Sequence, residues 1–111
     1  MYNINGIAWE VELQSEVKNW IPTLPKDDQG IVTRNIDRLE EKGNLLTHPY
    51  TSQLKGKLRE LRFHLSTGQQ RITYFIAPER KIILLTVFRK TKQRETKEIN
   101  RAIRAMNTFN E

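Results

Sequence analysis

The sequence predicts a small α+β domain in which helices cover one face of an antiparallel sheet, with the element order β-α-α-β-β-β-α. Runs of alternating apolar and polar residues occur near the start and through the middle of the chain, as in strands that bury one face. Stretches with helical spacing lie between and after these runs. At 111 residues, without an internal repeat or a linker-like tract, the chain has the size of one domain, which we expect to span 1–111.

One strand and two helices are predicted in the first half. Apolar residues occupy every second position of the first strand, at Ile7, Trp9, Val11 and Leu13. Helical spacing follows over 15–24, and Pro22 is expected to end or kink that helix, because proline has no amide proton. A second helix is predicted over 25–42, with Gly43 as its stop. Residues 44–53 show no clear period and are predicted to form a loop.

Three strands and a last helix are predicted in the second half. Strand-like runs at 58–65, 70–76 and 81–88 are separated by the short turns STGQ and APER, so we expect an antiparallel meander. From Thr96 onward apolar residues recur at helical spacing, which predicts an amphipathic helix with Thr96 as its cap.

Positive charge is concentrated in the predicted strands. The chain has a net charge of +6, and residues 54–94 contain eleven Lys or Arg against two acids. Clustered cations favour a polyanion as partner, because binding to a phosphate backbone releases counterions. The alternative is an exposed sheet face whose cations serve solubility or blunt strand edges. Arginine in mid-strand favours phosphate contact instead, since a guanidinium binds phosphate through two donors.

The register of the first hairpin determines where these cations lie. We predict a four-residue turn that pairs Leu65 with Gln70. His64 then lies opposite Arg71, and both share the polar face with Arg62. In the first of these strands Glu60 is the one acid on that face and can neutralise one neighbour at most, so the other cations are expected to be unpaired. The end of the neighbouring strand brings Lys90 near His64 and Arg71. The same strand end and the start of the hairpin add the candidate RNA-binding cations Arg89, Lys92, Lys55 and Lys57.

The sequence indicates neither a metal site nor a cofactor site. There is no cysteine, and neither histidine has acids at metal-ligand spacing, so His48 is interpreted as a loop residue. No glycine-rich phosphate loop or nucleophile elbow occurs. RNA can still be cleaved, because its own 2′-hydroxyl attacks the adjacent phosphate when cations stabilise the added charge. We predict that stabilising role for Arg62, Arg71 and Lys90. Proton transfer is predicted for His64, with a lysine whose pKa is lowered by the neighbouring cations as the alternative.

The amino-terminal residues lack the basic segment followed by an apolar core that is typical of a signal peptide. No apolar run approaches the roughly 20 residues that a membrane span requires. Together with the absence of cysteine, this favours a soluble protein of the reducing cytoplasm, without membrane attachment.

The strand region and the last helix resemble a known family. The stretches LKGKLRELRFHLSTGQQRITYF and IILLTVFRKTKQRETKEINRAI are similar to the signature of phage-derived HigB-type toxins, in the RelE/ParE superfamily of type II toxin-antitoxin systems. This resemblance implies a RelE-like fold and a ribosome-dependent mRNA endonuclease that inhibits translation. The implied partners are the ribosome, mRNA and a cognate antitoxin, often a helix-turn-helix protein of the HigA (Xre-like) type. By position, the family's functional basic residues fall on Arg62, Arg71 and Lys90. Lys92 lies close by, and His64 falls where a basic residue is common.

The chain departs from the family pattern at several positions. Arg59 replaces a usual aromatic residue, Gln70 replaces a common tyrosine, and ETK stands where the family has TPK. The late tyrosine that some RelE-type enzymes use is absent, and the last tyrosine, Tyr74, is predicted to be buried. Stacking on a base would then require another group, such as Phe88 or an arginine plane.

Two other functions are compatible with this fold. A ParE-like inhibitor of DNA gyrase would use the same architecture without cutting RNA, although it has no need for cations in mid-strand. A non-catalytic RNA-binding module, derived from a toxin, would keep the basic face. Cleavage of mRNA on translating ribosomes distinguishes the endonuclease from both.

Overall fold

A computed structural model describes residues 9–91 and 95–109, in which one five-stranded sheet is flanked by three helices. The strands are β1 (Glu10–Leu13), β2 (Thr51–Lys55), β3 (Leu58–Leu65), β4 (Gly68–Ala77) and β5 (Lys81–Arg89). The helices are α1 (Ser15–Trp20), α2 (Lys26–Lys42) and α3 (Thr96–Phe109). Short 3₁₀ turns at Ile21–Thr23 and Gly43–Leu45 follow α1 and α2. Within the described ranges, no helix is both long and apolar enough to cross a membrane.

The strand order in the sheet is β1-β5-β4-β3-β2. The strands from β2 to β5 form the expected antiparallel ladder, but β1 pairs with β5 in parallel, with Val11 opposite Ile82. The prediction of a wholly antiparallel sheet is therefore wrong at this edge. Alternation shows which side chains face the core, but it is the same for either strand direction, so it contains no information about parallel or antiparallel pairing.

The prediction of a loop over 44–53 is wrong from Thr51, where β2 begins. Leu54 is the single apolar residue of β2, so no alternating pattern marks this strand in the sequence. β2 forms because its backbone pairs with the edge of β3, for example with Thr51 opposite Leu61. The element order is thus β-α-α-β-β-β-β-α.

Helices lie on both faces of the sheet, and the prediction of helices on one face is wrong. On the first face, α1 and α2 share a core with the strands that contains Val17, Val32, Leu39, Leu61, Ile72, Tyr74, Ile82 and Leu84. On the second face, α3 and the strands share a core that contains Leu58, Phe75, Ile83, Leu85, Ala102 and Met106. Residues 82–85 of β5 are apolar without alternation and buried, so this strand needs a helix on each face.

Both predicted helix ends in the first half are confirmed. α1 ends at Trp20, and Pro22 lies in the 3₁₀ turn that follows, because proline cannot donate the hydrogen bond that would continue the helix. α2 ends at Lys42, and Gly43 follows it with a φ of 54°. Glycine is favoured at such a helix end because residues with a Cβ atom rarely adopt a positive φ.

The boundaries at the two ends of the fold differ slightly from the prediction. Thr96 is the first helical residue of α3 rather than its cap, because the carbonyl of Glu95 accepts a hydrogen bond from the amide of Ile99. β1 begins at Glu10. The predicted first strand starts before residue 9, and that part lies outside the described residues.

Replacing Gly43 with alanine is expected to lower the free energy of unfolding by about 3 kcal/mol. A methyl group at this position would overlap the indole ring of Trp9, and the φ of 54° is unfavourable for residues with a Cβ atom. Urea denaturation followed by far-UV circular dichroism measures the change. Gly30→Ala is the matched control, because its Cβ would meet only the Arg34 side chain at 3.5 Å and alanine favours the helix. Unfolding of Gly43→Ala at the parental urea concentration would contradict the packing of Trp9 on Gly43.

Candidate active site

The β3–β4 hairpin brings the predicted site residues together in a register that differs from the prediction by two residues. The turn has two residues, 66–67, instead of the predicted four. Arg62 therefore lies opposite Arg71, and His64 lies opposite Gln69 rather than Arg71. Because side chains alternate with a period of two, a shift of two residues leaves each of them on its predicted face.

The tip of this hairpin is held by α2. Asp28, in the first turn of α2, is 3% exposed. Its carboxylate accepts hydrogen bonds from the amide of Ser66 at 3.2 Å and from the Ser66 hydroxyl at 2.6 Å. Hydrogen bonds to a carboxylate are stronger than those between neutral groups, so the helix holds the end of β3 and the start of β4 in a defined position.

A cleft of about 250 Å³ opens beside the hairpin. It is lined by His48, Pro49, Arg62, Phe63, His64, Gln69 and Arg71. The loop before β2 supplies His48, and the amide of Arg62 donates a 2.8 Å hydrogen bond to the carbonyl of Tyr50, which holds this loop against β3. The interpretation of His48 as an ordinary loop residue missed its position in the same cleft as His64. The sequence does not signal this contact, because the residues of the loop show no apolar period from which their side-chain directions could be predicted.

Arg71 lies at the inner side of the cleft, with 3% of its surface exposed. Its guanidinium donates hydrogen bonds to the carbonyl of Gln70 at 3.1 Å and to the side-chain oxygen of Gln69 at 3.2 Å. Its Nε lies 3.5 Å from Oε1 of Glu60, which is also buried. Burial lowers the pKa of the Arg71 guanidinium, and the negative charge of Glu60 acts in the opposite direction.

The prediction that the cations of this face are unpaired is wrong. The second oxygen of Glu60 lies 3.8 Å from Nε of Arg62 and accepts a 2.8 Å hydrogen bond from the Ser52 hydroxyl. Lys90 pairs with the carboxylate of Glu95. The pairing depends on β2, which supplies Ser52, and on the start of α3, which follows Glu95. Glu60 and Arg62 are neighbours on one face of β3, but the contact of Glu60 with Arg71 joins two strands, so composition along one strand could not predict it.

Arg62 and Lys90 are more accessible to solvent than Arg71. Their side chains are 31% and 41% exposed, and His64 is exposed as well. The amide of Lys90 donates a 2.8 Å hydrogen bond to the carbonyl of Gln69, the residue that pairs with His64. Lys90 is therefore one strand away from the cleft that Arg62 and His64 line. These accessible side chains can contact a phosphate group, whereas Arg71 is enclosed.

Arg89 lies on the opposite face of the sheet from Arg71. It pairs with Gln70, and its guanidinium donates a 3.3 Å hydrogen bond to the carbonyl of Thr67. Phe88, the preceding residue, pairs with Arg71, and strand alternation then turns Arg89 to the other face. Arg89 is exposed beside the hairpin tip but does not line the cleft.

The other predicted RNA-binding lysines are also outside the cleft. Lys55 and Lys57 lie near the start of β3, about 20 Å from His64 by the length of the strand. Lys92 lies outside the described residues. The RNA-binding roles of these lysines and of Arg89 stay predictions.

Metal ligation has no candidate in the part of the chain that the structure describes. Over 9–91 and 95–109, no group of three or more His, Cys, Asp or Glu side chains is arranged to hold a metal ion. The expectation that the protein needs neither metal nor cofactor stays a prediction.

Comparison with known proteins identifies the family of this chain. The family described as Phage derived protein Gp49-like (DUF891) matches residues 19–107. The chain belongs to this family. The predicted membership of the RelE/ParE superfamily, in its phage-derived branch, is thereby confirmed. Among curated protein sequences, none is significantly similar to the chain.

Solved structures similar to this Gp49-like chain have the RelE fold. A free-state mutant of the E. coli toxin RelE aligns with a TM-score of 0.60 at 10% identity, over 88% of this chain and 97% of RelE. The RelE-RelB complex from Pyrococcus horikoshii gives 0.58 at 18% identity, over 78% of this chain and 100% of the other. The RelBE2 toxin-antitoxin complex from Mycobacterium tuberculosis gives 0.56 at 16% identity, over 76% and 100%. At these identities the likeness is one of fold.

The structure shows where several residues that bear on the family pattern lie in this Gp49-like chain. Tyr74 is 1% exposed, which confirms its predicted burial. Arg59 replaces an aromatic residue and donates hydrogen bonds to the Tyr74 hydroxyl at 3.3 Å and to the Thr51 hydroxyl at 3.2 Å, so it lies on the side of α1 and α2. Phe88 is 7% exposed and has little ring surface for stacking on a base.

Proposed function

We propose that this Gp49-like protein is the toxin of a type II toxin-antitoxin system and inhibits translation by cleaving ribosome-bound mRNA without a metal ion. The observation that supports this most strongly is the cleft in which both histidines of the chain, His48 and His64, meet Arg62 and Arg71. Histidine changes charge near neutral pH, so a pair of histidines can accept one proton and donate another. The structural likeness to the toxin RelE supports the toxin assignment.

The proposed reaction uses the 2′-hydroxyl of the RNA as nucleophile. One histidine, in its neutral form, accepts the hydroxyl proton while the 2′-oxygen attacks the adjacent phosphorus. The other histidine, in its protonated form, donates a proton to the 5′-oxygen as the bond between phosphorus and that oxygen breaks. The products are a 2′,3′-cyclic phosphate and a 5′-hydroxyl, so the step consumes no water and involves no oxidation or reduction.

The arginines and Lys90 have different parts in this proposal. Arg62 and Lys90, which are partly exposed, contact the phosphate and stabilise the extra negative charge of the transition state. RNA phosphate then competes with Glu60 and Glu95 for these cations. Arg71 is buried and bonded to Gln69, so it acts as a positioning residue that holds the wall of the cleft.

Replacing Arg62 or Lys90 with alanine is expected to lower mRNA cleavage by roughly 100-fold, because each removes a cation that faces the reacting phosphate. Expression in a bacterium should arrest growth and translation, and both variants should relieve the arrest. Primer extension on cellular mRNA after induction measures the cleavage itself. Lys18→Ala is the matched control, because Lys18 is exposed on α1, on the other face of the sheet.

The same experiment separates the competing functions. Cuts in register with codons support cleavage on the ribosome. Growth arrest without mRNA cuts, together with DNA damage, identifies a gyrase inhibitor instead. Salt-sensitive RNA binding without arrest or cuts identifies a non-catalytic module. If Arg62→Ala and Lys90→Ala remained as toxic as the parent, the proposed charge stabilisation would be wrong.

An antitoxin and the ribosome are the proposed partners. The structures from P. horikoshii and M. tuberculosis are toxin-antitoxin complexes, which supports an antitoxin partner for this chain. We propose a helix-turn-helix antitoxin of the HigA type, from the resemblance of the strand motifs to HigB-type toxins. Both the antitoxin and translating ribosomes would place the activity in the cytoplasm.

A further inference from the structure

Glu95 lies at the start of α3, on the same face of the sheet as the cations of the candidate site. Leu58 of β3 belongs to the core under α3, and alternation along this strand turns Arg62 and His64 to the same side. The carbonyl of Glu95 accepts a 2.9 Å hydrogen bond from the amide of Ile99, so Glu95 is joined to the first turn of the helix. The helix that carries this acid thus covers part of the face to which the cations point.

Lys90 points to this face as well. Phe88 pairs with Arg71, and Lys90, two residues further along the chain, has the same orientation by alternation. The amide of Lys90 donates its 2.8 Å hydrogen bond to the carbonyl of Gln69, which lines the cleft. Residues joined in this way across an antiparallel pair have their Cα atoms about 5.5 Å apart. Lys90 is therefore a direct neighbour of the cleft wall.

The carboxylate of Glu95 pairs with the ammonium group of Lys90. The Glu95 side chain is only 16% exposed, so water and salt screen this ion pair less than one between two fully exposed side chains. The charge of Glu95 also acts on Arg71. Burial is the main effect on the pKa of Arg71 and lowers it, whereas the negative charges of Glu60 and Glu95 act in the opposite direction. One acid thus acts on two cations of the candidate site.

The docking of α3 holds Glu95 in this position. Ala102 of α3 is buried in the core on this face. The Arg101 guanidinium donates a 3.2 Å hydrogen bond to the carbonyl of Val87, three residues before Lys90 in the chain. The helix is thereby fixed to the strand that leads to Lys90. An acid that is held next to its cation within one chain competes with external anions at a high effective concentration.

We propose that Glu95 is an internal competitor of RNA, whose carboxylate occupies Lys90 in place of a phosphate and lowers the affinity of the protein for free single-stranded RNA. This inference rests on the proposed function, because it concerns binding of the same substrate. A phosphate that contacts Lys90 must displace the carboxylate, so the free energy gained is the difference between two ion pairs. RNA is the ligand that fits, because Arg62 and Lys90 together suit a chain with more than one phosphate.

The test measures binding of a fluorescein-labelled, single-stranded 2′-O-methyl RNA by fluorescence anisotropy at several salt concentrations. The methyl group blocks the nucleophile, so binding is measured without cleavage. Glu95→Gln removes the charge but keeps the size of the side chain, and it should bind this RNA roughly five- to tenfold more tightly than the parent. The slope of log K against log salt concentration should become steeper by about 0.7, because no released carboxylate takes up a cation when the phosphate binds. Loss of the fold cannot produce such a gain.

Two comparisons define the result. Glu41→Gln is the matched control, because it removes one negative charge from an exposed position on α2, on the other face of the sheet, and should leave the salt slope unchanged. In a Lys90→Ala background, Glu95→Gln should no longer tighten binding, because its partner is absent. A Glu95→Gln variant that binds RNA no more tightly than the parent, or that gains as much without Lys90, would overturn the competitor. Weaker binding would overturn it as well, and would assign to Glu95 the positioning of Lys90 for RNA.

Failure of the competitor and failure of the proposed function give different results. A parent protein that cuts ribosome-bound mRNA, with a Glu95→Gln variant that binds RNA no more tightly, keeps the nuclease proposal and loses the competitor. A parent protein that cuts no mRNA, with a gain in RNA binding that depends on Lys90, keeps the competitor as part of an RNA-binding site and loses the nuclease proposal.

Discussion

Arg71→Ala is expected to lower the free energy of unfolding by about 3–5 kcal/mol, the cost of leaving a buried charge without its partner. Arg71 is 3% exposed, and its Nε faces Oε1 of Glu60 at 3.5 Å. In the described structure neither of these two atoms has a hydrogen-bond partner, so each depends on the charge of the other. Without Arg71, the buried carboxylate of Glu60 would keep the Ser52 hydroxyl and, as its charged partner, only the more distant Arg62. Urea denaturation followed by circular dichroism measures the loss.

Two variants separate the ion pair from general effects of mutation. Arg62→Ala is the matched control, because Arg62 is 3.8 Å from the same carboxylate but 31% exposed, and it should cost at most about 1 kcal/mol. The double variant Glu60→Gln/Arg71→Met removes both charges and should regain much of the lost stability. It should still cleave RNA poorly, because Gln69 loses the donor that holds it in the cleft. An Arg71→Ala variant as stable as the parent would show that the pair is not buried in solution.

Replacing either His48 or His64 with glutamine is expected to slow cleavage by roughly 100- to 10,000-fold, the usual contribution of a general acid or base. Both side chains line the cleft, and glutamine keeps a polar side chain of similar size without the ability to titrate. Single-turnover cleavage of mRNA on programmed ribosomes measures the rate. The double variant should be little slower than the slower single variant, because residues that act in one step are not additive.

The pH dependence assigns the two roles. The base must be neutral, so protonation slows the reaction as the pH falls, and the acid must be protonated, so deprotonation slows it as the pH rises. The parent should therefore have a bell-shaped profile. Replacing the base should remove the fall on the acidic side, and replacing the acid should remove the fall on the basic side. A histidine variant with the parental rate and profile would exclude that residue from proton transfer.

The fold was largely predictable where local patterns specify it. Pro22 and Gly43 mark helix ends because one lacks a donor and the other tolerates a positive φ. The alternation around Arg62 and Arg71 predicted which side chains share a face, even though the predicted strand register differs from the observed one by two residues. The position of α3 on the second face was not predicted, although the continuous apolar run at 82–85 is typical of a strand that is covered on both faces.

The candidate site was predictable only in part. The strand pattern and the family resemblance both pointed to Arg62, His64, Arg71 and Lys90, and the structure brings these residues to one end of the sheet. Their catalytic roles stay predictions. His48 was not expected there, because it reaches the cleft through a loop without a periodic pattern.

By itself, the sequence determined the class of the fold, the ends of its first two helices, the two-faced character of the β3–β4 hairpin and the family to which the chain belongs. These properties depend on local stereochemistry and on the spacing of apolar residues, which are readable along the chain. Only the tertiary structure decided that Arg71 is buried against Glu60, that β1 runs parallel to β5 and that both histidines share one cleft. Burial, strand direction and ion pairing are set by contacts between distant segments, so the charge of a residue does not reveal whether that charge is free.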